Sequence, residues 1–277
     1  MKKILVTTDF SSNSKSALLF AIQLASQDNY KLTFFHSYEV LRPTSWSEPV
    51  LVSFEKSESA KIIRKLNKFV NDVYKSLGFS VEHPECVVKS GAYTDRNIMD
   101  YAHKNKYSFI CISRKGRGKT ARLFGSNTST LIKKSKIPLI AIPSDYKKAE
   151  ISDITYASDL LNLDDELEQV VSFTGPLGAR VELLHFKSPI DYLTDASQFN
   201  AIKEKLEKYQ IKANYETLDY EKTLIANINK VIKLSKPSLL IMFTDQNRTL
   251  FERIFMSSIS AEFSSMSKVP LLVFIKD

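Results

Sequence analysis

The sequence predicts two tandem copies of one Rossmann-like α/β unit, each a doubly wound parallel sheet of five strands. Three observations support this fold class: the chain has 277 residues, short patterns recur in order, and apolar runs alternate with amphipathic stretches. The length suits two domains of about 140 residues. Strands that alternate with helices form a parallel sheet with right-handed crossovers. We predict domains at 1–146 and 150–277, joined by the polar segment 146–152.

The first half of each copy carries two matching patterns. The apolar run 4–10, which holds an acid near its end, returns at 154–160. A second run, 32–36, returns at 181–185, and both versions end in histidine. Internal repeats of this kind indicate duplicated structural units.

The end of each copy carries a third match. Ser-Lys-Ile-Pro at 135–138 returns as Ser-Lys-Val-Pro at 267–270. The offset between copies is 150 residues at the acids Asp9 and Asp159, but 132 at the two prolines. We therefore expect about 18 residues to be missing from the middle of the second copy. The segment 42–54, rich in Pro and Ser, predicts a surface loop that a duplicate could lose.

Each element of the first copy follows from its apolar pattern. Strands are short continuous apolar runs, as expected where helices cover both faces of a sheet. The first helix places Ala17, Phe20 and Leu24 on one stripe at helical spacing, and the polar residues before it can cap its start. We predict strands at 2–8, 31–37, 80–88, 108–112 and 138–142, and helices at 13–28, 55–77, 92–105 and 125–135.

Composition limits the classes of partner. Lys and Arg number 39 against 31 Asp and Glu, a formal net charge of +8, which suits an anionic ligand. These charges are scattered through helices rather than gathered into a tail, which argues against nucleic acid. Two cysteines form no disulfide framework. No stretch approaches 18 apolar residues, so we expect no membrane span and a soluble, cytoplasmic protein.

The candidate site lies at the carboxyl ends of the first copy's strands, where open parallel sheets bind ligands. Three segments should meet there: 7–9, 36–37 and the glycine-rich stretch 113–128. Glycines let the backbone approach a bulky anion, and N–H groups at a helix start bind phosphate. Gly118-Lys119-Thr120 resembles the end of a P-loop, but Ser113 stands at the position of its first glycine, so we set that motif aside.

The loop resembles that of the universal stress protein family, in its tandem two-domain form. The family pattern G-x-x-G-x9-G-[ST] corresponds to Ser113-x-x-Gly116-x8-Gly125-Ser126, with a serine for the first glycine and a spacer one residue short. The resemblance implies an adenine-nucleotide alpha-hydrolase-like fold that binds ATP, with Mg²⁺ to offset the triphosphate charge. It also implies that Asp9 faces the adenosine, beside Thr7 and the strand end at Ser37. The candidate nucleotide-binding residues are Thr7, Thr8, Asp9, Ser37, Ser113, Arg114, Lys115, Gly116, Arg117, Gly125, Ser126, Asn127 and Thr128.

The second copy has lost the glycines of this loop. Counting back from Pro270 places its counterpart at Thr244-x-x-Asn247-x9-Ser257-Ser258. We expect this copy to bind no triphosphate and to serve as a pairing or regulatory copy. Protein partners or a homodimer are compatible with that role.

Several readings stay open from the sequence alone. Asp9 is an adenosine contact or a loop cap, and the basic residues between Arg114 and Lys119 either screen phosphate or are solvated. His36 and His185 recur at equivalent strand ends, where a structural role is favoured over metal ligation. No catalytic base or nucleophile is identifiable, so at most weak ATP hydrolysis is expected. The alternative function is an interaction module, a pseudo-dimer scaffold in which neither copy binds nucleotide.

Overall fold

The computed structural model describes residues 1–40, 43–114, 126–187, 196–245 and 268–276, without the side chains of 196–199 and 245. These residues form two compact units, the first within 1–148 and the second within 149–276. Each unit contains five parallel strands and has its own buried core.

The first unit is a five-stranded parallel sheet with strand order β3-β2-β1-β4-β5. The chain order reverses between β1 and β4, which makes their carboxyl ends the switch point of a doubly wound fold. The strands are β1 (Lys3–Thr7), β2 (Lys31–Tyr38), β3 (Glu85–Ser90), β4 (Phe109–Ser113) and β5 (Leu139–Ile142). The helices are α1 (Ser14–Gln27), α2 (Glu48–Ser76), α3 (Thr94–Lys104) and α4 (Ser126–Lys134).

The second unit repeats this order as β8-β7-β6-β9-β10, again with parallel pairs. Its strands are β6 (Asp153–Ala157), β7 (Arg180–Lys187), β8 (Lys212–Thr217), β9 (Leu239–Asp245) and β10 (Leu271–Lys276). Its described helices are α5 (Leu163–Thr174), α6 (Ala196–Lys208) and α7 (Leu224–Ser235). The predicted doubly wound, five-stranded parallel sheet is confirmed in each unit.

The central strands are apolar because helices cover both faces of each sheet. In β1, Ile4, Leu5 and Val6 are fully buried, and in the first helix the stripe of Ala17, Phe20 and Leu24 is fully buried against them. Burial of one such side chain stabilises the fold by about 1.5–3 kcal/mol. The apolar pattern therefore both selects the strands and anchors the helix that follows.

The missing residues of the second copy come mainly from a helix, which corrects the prediction of a lost loop. α2 begins at Glu48 and has 29 residues, whereas α6 as described has 13. Ser47 is extended, and Pro49 lies in the first turn. There proline costs no hydrogen bond and its fixed φ suits the helix. β3 also starts later than predicted, at Glu85.

Candidate functional site

A cleft of about 280 Å³ lies at the carboxyl ends of β1, β2 and β4 in the first unit. Nine of the predicted nucleotide-binding residues line it: Thr7, Thr8, Asp9, Ser37, Ser113, Arg114, Ser126, Asn127 and Thr128. The other four, Lys115, Gly116, Arg117 and Gly125, lie outside the described residues. Tertiary structure thus brings together three segments that the sequence analysis placed at this edge.

Seven further residues line the cleft and were not predicted. Ser11, Asn13 and Ser14 precede or start α1, so their nearness follows from the turn after β1. Phe35 and Ile112 are strand residues, and Thr94 and Ile98 belong to α3. Thr94 starts the helix that follows β3, the strand next to β2, and that position could have pointed to it. The aliphatic lining carries no sequence signal distinct from that of an ordinary core.

The Asp9 carboxylate caps its own turn and lines the cleft. Its Oδ1 accepts a hydrogen bond from the backbone N–H of Ser11 at 2.9 Å, and Phe10 between them has φ of 63°. Partial burial raises the pKa of Asp9, but hydrogen bonds from Ser11 and Ser14 outweigh this and leave the pKa below its ordinary value. Asp9 is therefore an ionised hydrogen-bond acceptor at neutral pH, and capping does not prevent it from accepting a further donor.

His36 contacts two residues of the same turn. Its Nδ1 lies 2.8 Å from the carbonyl oxygen of Thr8, and its ring centroid lies 4.3 Å from that of Phe10. In the second unit, His185 Nδ1 lies 3.0 Å from the carbonyl oxygen of Ser158. The recurring histidines thus make the same turn contact in both units, and within the described residues no group of three or more His, Cys, Asp or Glu side chains could hold a metal.

Arg114 lines the cleft and carries a buried positive charge. Its side chain is only 3% exposed, and its backbone N–H donates to the carbonyl of Ile142 at 2.7 Å, which fixes the residue at the end of β4. Burial lowers the pKa of the guanidinium to about 9, and the nearby Asp145 carboxylate opposes that shift. Arg114 therefore remains a cation at neutral pH.

The start of α4 completes this side of the cleft. Ser126, Asn127 and Thr128 form its first turn and line the cavity. The first N–H groups of a helix have no partner within the helix, and they carry partial positive charge. No acidic residue lies in this turn. The end of β4 and the start of α4 together give an environment that favours an anion.

Ser113 uses its hydroxyl to join two elements. Its Oγ donates to the carbonyl of Asn13 at 2.7 Å, tying the end of β4 to the start of α1. On the opposite side of the cleft, the Asn97 amide donates to Ser37 Oγ at 2.8 Å. A serine at the position of the family's first glycine is therefore accommodated by a structural bond.

The second unit closes the equivalent edge with charged side chains. Asp159 forms the same turn as Asp9, accepting from the N–H of Leu161 at 3.1 Å. Here, however, Lys276 Nζ lies 3.1 Å from Asp159 Oδ1 and 2.8 Å from Glu166 Oε1. Glu166 is 2% exposed and also accepts from Ser158 Oγ at 2.6 Å. In the first unit the equivalent acid, Asp9, lines the cleft, whereas Asp159 is ion-paired with Lys276 of its own unit.

Strand register corrects the predicted counterpart of Ser113 by one residue. The N–H of Ile110 donates to Pro138 O at 3.0 Å, and the N–H of Leu240 donates to Pro270 O at 2.9 Å. Three residues further along each strand, Ser113 corresponds to Phe243, and Thr244 corresponds to Arg114. The predicted match of Thr244 to Ser113, counted back from Pro270, is therefore wrong by one residue. Asn247, Ser257 and Ser258 lie outside the described residues.

Phe243 belongs to an aromatic cluster at this edge of the second unit. Its ring stacks on that of Phe274 at 5.1 Å between centroids and meets Tyr156 edge-on at 5.8 Å. Where the first unit has a serine and a buried arginine, the second has a packed aromatic ring and a threonine. The threonine removes the positive charge that Arg114 carries, and the phenylalanine ring is larger than the serine that it replaces.

Comparisons with known proteins agree with this architecture. A universal stress protein from Archaeoglobus fulgidus DSM 4304 superposes with a TM-score of 0.69, 14% identity, and coverage of 99% of this chain and 98% of that one. A putative universal stress protein from Pseudomonas aeruginosa UCBPP-PA14 gives a TM-score of 0.59, 11% identity, and coverage of 99% and 93%. The cytoplasmic domain of a prokaryotic cation chloride cotransporter superposes with a TM-score of 0.52 and 11% identity. The match covers 98% of this chain and 94% of that one. These similarities show the fold, which is compatible with several functions.

The fold and the cleft define a tandem pair of doubly wound α/β units, with an anion-favouring switch point in the first. A sequence profile described as Universal stress protein family matches residues 1–143, more than half of the chain. The chain belongs to the universal stress protein family, as its loop had suggested. No curated protein sequence matches it significantly. Among the described residues, no helix has the length and apolar character needed to cross a membrane.

Proposed function

We propose that the first unit binds an adenine nucleotide, with ATP as the leading candidate, and that the protein acts in a stress response through this bound state. The observation that carries the proposal is the opposed polarity of one cleft. Asp9 offers a carboxylate on one side, and Arg114 with the first turn of α4 offers positive charge on another. A nucleoside phosphate has matching polarity, with sugar hydroxyls that donate and a phosphate that accepts.

Each end of the ligand has a chemical partner. Carboxylates that follow a strand accept hydrogen bonds from ribose hydroxyls in other nucleotide-binding sheets. Helix N-termini and arginine bind phosphate through charge-assisted hydrogen bonds. Apolar side chains such as Ile98 and Ile112 lie in the same lining and suit the face of a base. The choice of adenine rests on the family resemblance.

Magnesium would reach this site with the nucleotide. Asp9 is the single carboxylate among the described lining residues, and one carboxylate holds Mg²⁺ only together with phosphate oxygens and waters. The residues therefore fit a metal that the triphosphate carries, which would offset part of the phosphate charge. In this arrangement phosphate oxygens and waters would supply the Mg²⁺ ligands, because Asp9 faces the ribose.

The second unit serves, in this proposal, as a copy that does not bind nucleotide. Lys276 pairs with both Asp159 and Glu166, and Phe243 replaces the serine of the first unit. A phosphate placed there would lie near the Asp159 carboxylate and would find Thr244 at the position of Arg114. The unit is then free to take a pairing or regulatory role.

The test begins with the freshly purified full-length protein. It is denatured, any released nucleotide is identified by mass, and the apo protein is titrated with ATP, ADP, AMP and adenosine, with and without Mg²⁺. We expect one binding site per chain and tighter binding of phosphorylated ligands than of adenosine. Release of ADP over time reports any weak hydrolysis.

The alternative function, an interaction module, predicts a different result. Absence of copurified nucleotide together with no calorimetric signal at millimolar ATP would exclude the nucleotide proposal and favour the scaffold. Two sites per chain of equal affinity would contradict the asymmetry between the units.

A further inference from the structure

A second cavity, larger than the cleft, lies at the opposite edge of the second unit's sheet. Its volume is about 660 Å³, within the usual range for small-molecule sites. It is lined by the amino-terminal residues of three neighbouring strands and the ends of the helices that precede them, including Thr155, Glu182, Lys212 and Tyr209. The proposed nucleotide site plays no part in it.

The first unit shows what normally fills one side of this space. Tyr107 is 6% exposed, and its hydroxyl donates to Thr33 Oγ1 at 2.8 Å. The ammonium of Lys3 lies over its ring, 4.8 Å from the centroid. Thr33 in turn donates to Glu85 at 2.9 Å. A phenol ring and its hydroxyl thus complete this edge of the first sheet.

The residue that replaces Tyr107 in the second unit is established by backbone contacts. Ser108 N–H donates to the carbonyl of Lys3 at 2.9 Å, and Ser238 N–H donates to the carbonyl of Asp153 at 2.8 Å. Lys106 and Lys236 both have positive φ, 53° and 47°. Tyr107 therefore corresponds to Pro237, which lines the cavity.

A second tyrosine is lost in the same way. Tyr30 directly precedes Lys31 at the start of β2, is 6% exposed and packs edge-on against Phe109 at 6.1 Å. At the matching start of β7, Ala179 directly precedes Arg180 and lines the cavity. Two aromatic rings of the first unit are thus replaced by Pro237 and Ala179, which border one cavity. The cavity opens to solvent, since the side chains of Arg180 and Lys212 in its lining are 82% and 80% exposed.

The chemistry of the vacated position is also changed. Thr33 corresponds to Glu182, because Thr33 pairs with Glu85 across β2 and β3 as Glu182 pairs with Lys212 across β7 and β8. Glu182 Oε1 lies 3.2 Å from Lys212 Nζ, and Lys212 is the one ion-pair partner recorded for Glu182 in the part of the chain that is described. A carboxylate now faces the space in which the first unit holds a phenolic hydroxyl.

We propose that this cavity binds a small aromatic molecule with a phenolic hydroxyl, which takes the place of the missing Tyr107 ring and donates to the Glu182 carboxylate. The apolar lining, Ile154, Val181 and Ile211, contacts the ring. A cavity lined by apolar side chains can bind a small aromatic ring such as benzene. The hydrogen bond to a charged acceptor adds specificity for the hydroxyl.

The probe is p-cresol, which is the tyrosine side chain cut at Cβ, titrated into the full-length protein by calorimetry and by methyl NMR of Val181 and Ile211. We expect saturable binding, and about tenfold weaker binding of 4-methylanisole, which has no donor. We expect Glu182→Ala to lower the affinity for p-cresol by a similar factor. Equal affinity for the two probes, or an unchanged affinity in Glu182→Ala, would overturn the phenol assignment.

Filling variants locate the site. Pro237→Tyr restores the first unit's residue and should abolish p-cresol binding. Ala179→Tyr is the second filling variant if the first does not fold. Tyr107→Ala is the matched control, because it opens a comparable space in the first unit and should create a second p-cresol site. No saturable binding to the native protein, or unchanged binding by a folded filling variant, would refute the proposal. Nucleotide binding should be unaffected throughout, so failure here is distinguishable from failure of the proposed function.

Discussion

Lys276 and Glu166 form an ion pair, 2.8 Å from Nζ to Oε1, at the place where the first unit joins Ser16 Oγ to the carbonyl of Ser144 at 2.7 Å. A neutral hydrogen bond between the first helix and the end of the last strand has become a charged one. Lys276 Nζ also lies 3.1 Å from Asp159 Oδ1. The same lysine therefore links the helix to the strand and pairs with the acid of the turn.

Replacing Lys276 tests the strength of this pair. Lys276→Met leaves the carboxylate of Glu166, 2% exposed, without its cation. We expect the free energy of unfolding to fall by about 3 kcal/mol, since loss of one partner leaves a buried charge uncompensated. Chemical denaturation measures the change. The double variant Glu166→Gln, Lys276→Met should lose less than the sum of the single changes. A single-variant loss below about 0.5 kcal/mol would contradict a buried pair.

The two equivalent acids allow a matched test of the nucleotide site. Asp9→Asn keeps the shape of the turn but weakens an acceptor for a ribose hydroxyl, so ATP affinity should fall about tenfold. Asp159→Asn makes the same change where Lys276 already holds the acid, and ATP affinity should stay unchanged. Calorimetric titration of both variants gives the comparison. Equal effects would show that the assignment of the site to the first unit is wrong.

Arg114 should make the cleft bind phosphorylated ligands more tightly than ligands without phosphate. Arg114→Met removes the buried cation, and we expect ATP affinity to fall about 10- to 100-fold, the range for a charge-assisted hydrogen bond. Adenosine, which has no phosphate, should bind this variant as it binds the native protein. The ratio of the two affinities is the measurement. A parallel loss for both ligands would indicate general damage to the cleft rather than phosphate recognition.

His36 should make stability depend on pH below neutrality. Burial lowers its pKa from the ordinary 6.5, with a smaller contribution from Lys65, while the Thr8 carbonyl and Asp9 oppose the shift. Below about pH 6.5 the unfolded chain therefore takes up a proton that the native state resists, so stability falls as pH drops toward the lowered pKa. His36→Gln should remove that part of the slope between pH 7 and 5. An identical slope in the variant would rule out His36 as its source.

Gly91 supports the cleft through Asn97. Gly91 has φ of 156°, and a Cβ there would lie 2.7 Å from Asn97 Nδ2, the atom that donates to Ser37. Gly91→Ala should destabilise the protein by about 1–3 kcal/mol through overpacking and weaken nucleotide binding. Gly175→Ala is the control, because a Cβ at that position meets nothing within 4 Å, and thermal unfolding should show little change.

Much of the site was predictable because it depends on where strands end. Parallel strands bring their carboxyl ends to one edge, so Thr7, Ser37 and Ser113 could be placed together from strand predictions alone. The predicted loop at 42–54 was wrong from Glu48 onward. Its Pro and Ser content suits a loop, but the same residues also suit the start of a helix, and the exposed first turns lack a strong apolar stripe.

The amino-acid sequence by itself determined the duplication, the order of strands and helices, the family and the edge at which ligands should bind. These are local and periodic properties, and apolar spacing encodes them directly. Only the tertiary structure decided that Lys276 reaches Asp159, 117 residues away in sequence, and that Pro237 and Ala179 border one cavity. The reason is physical: such contacts depend on side-chain volume and charge across strands that are distant in sequence, and no local pattern records which residues will meet.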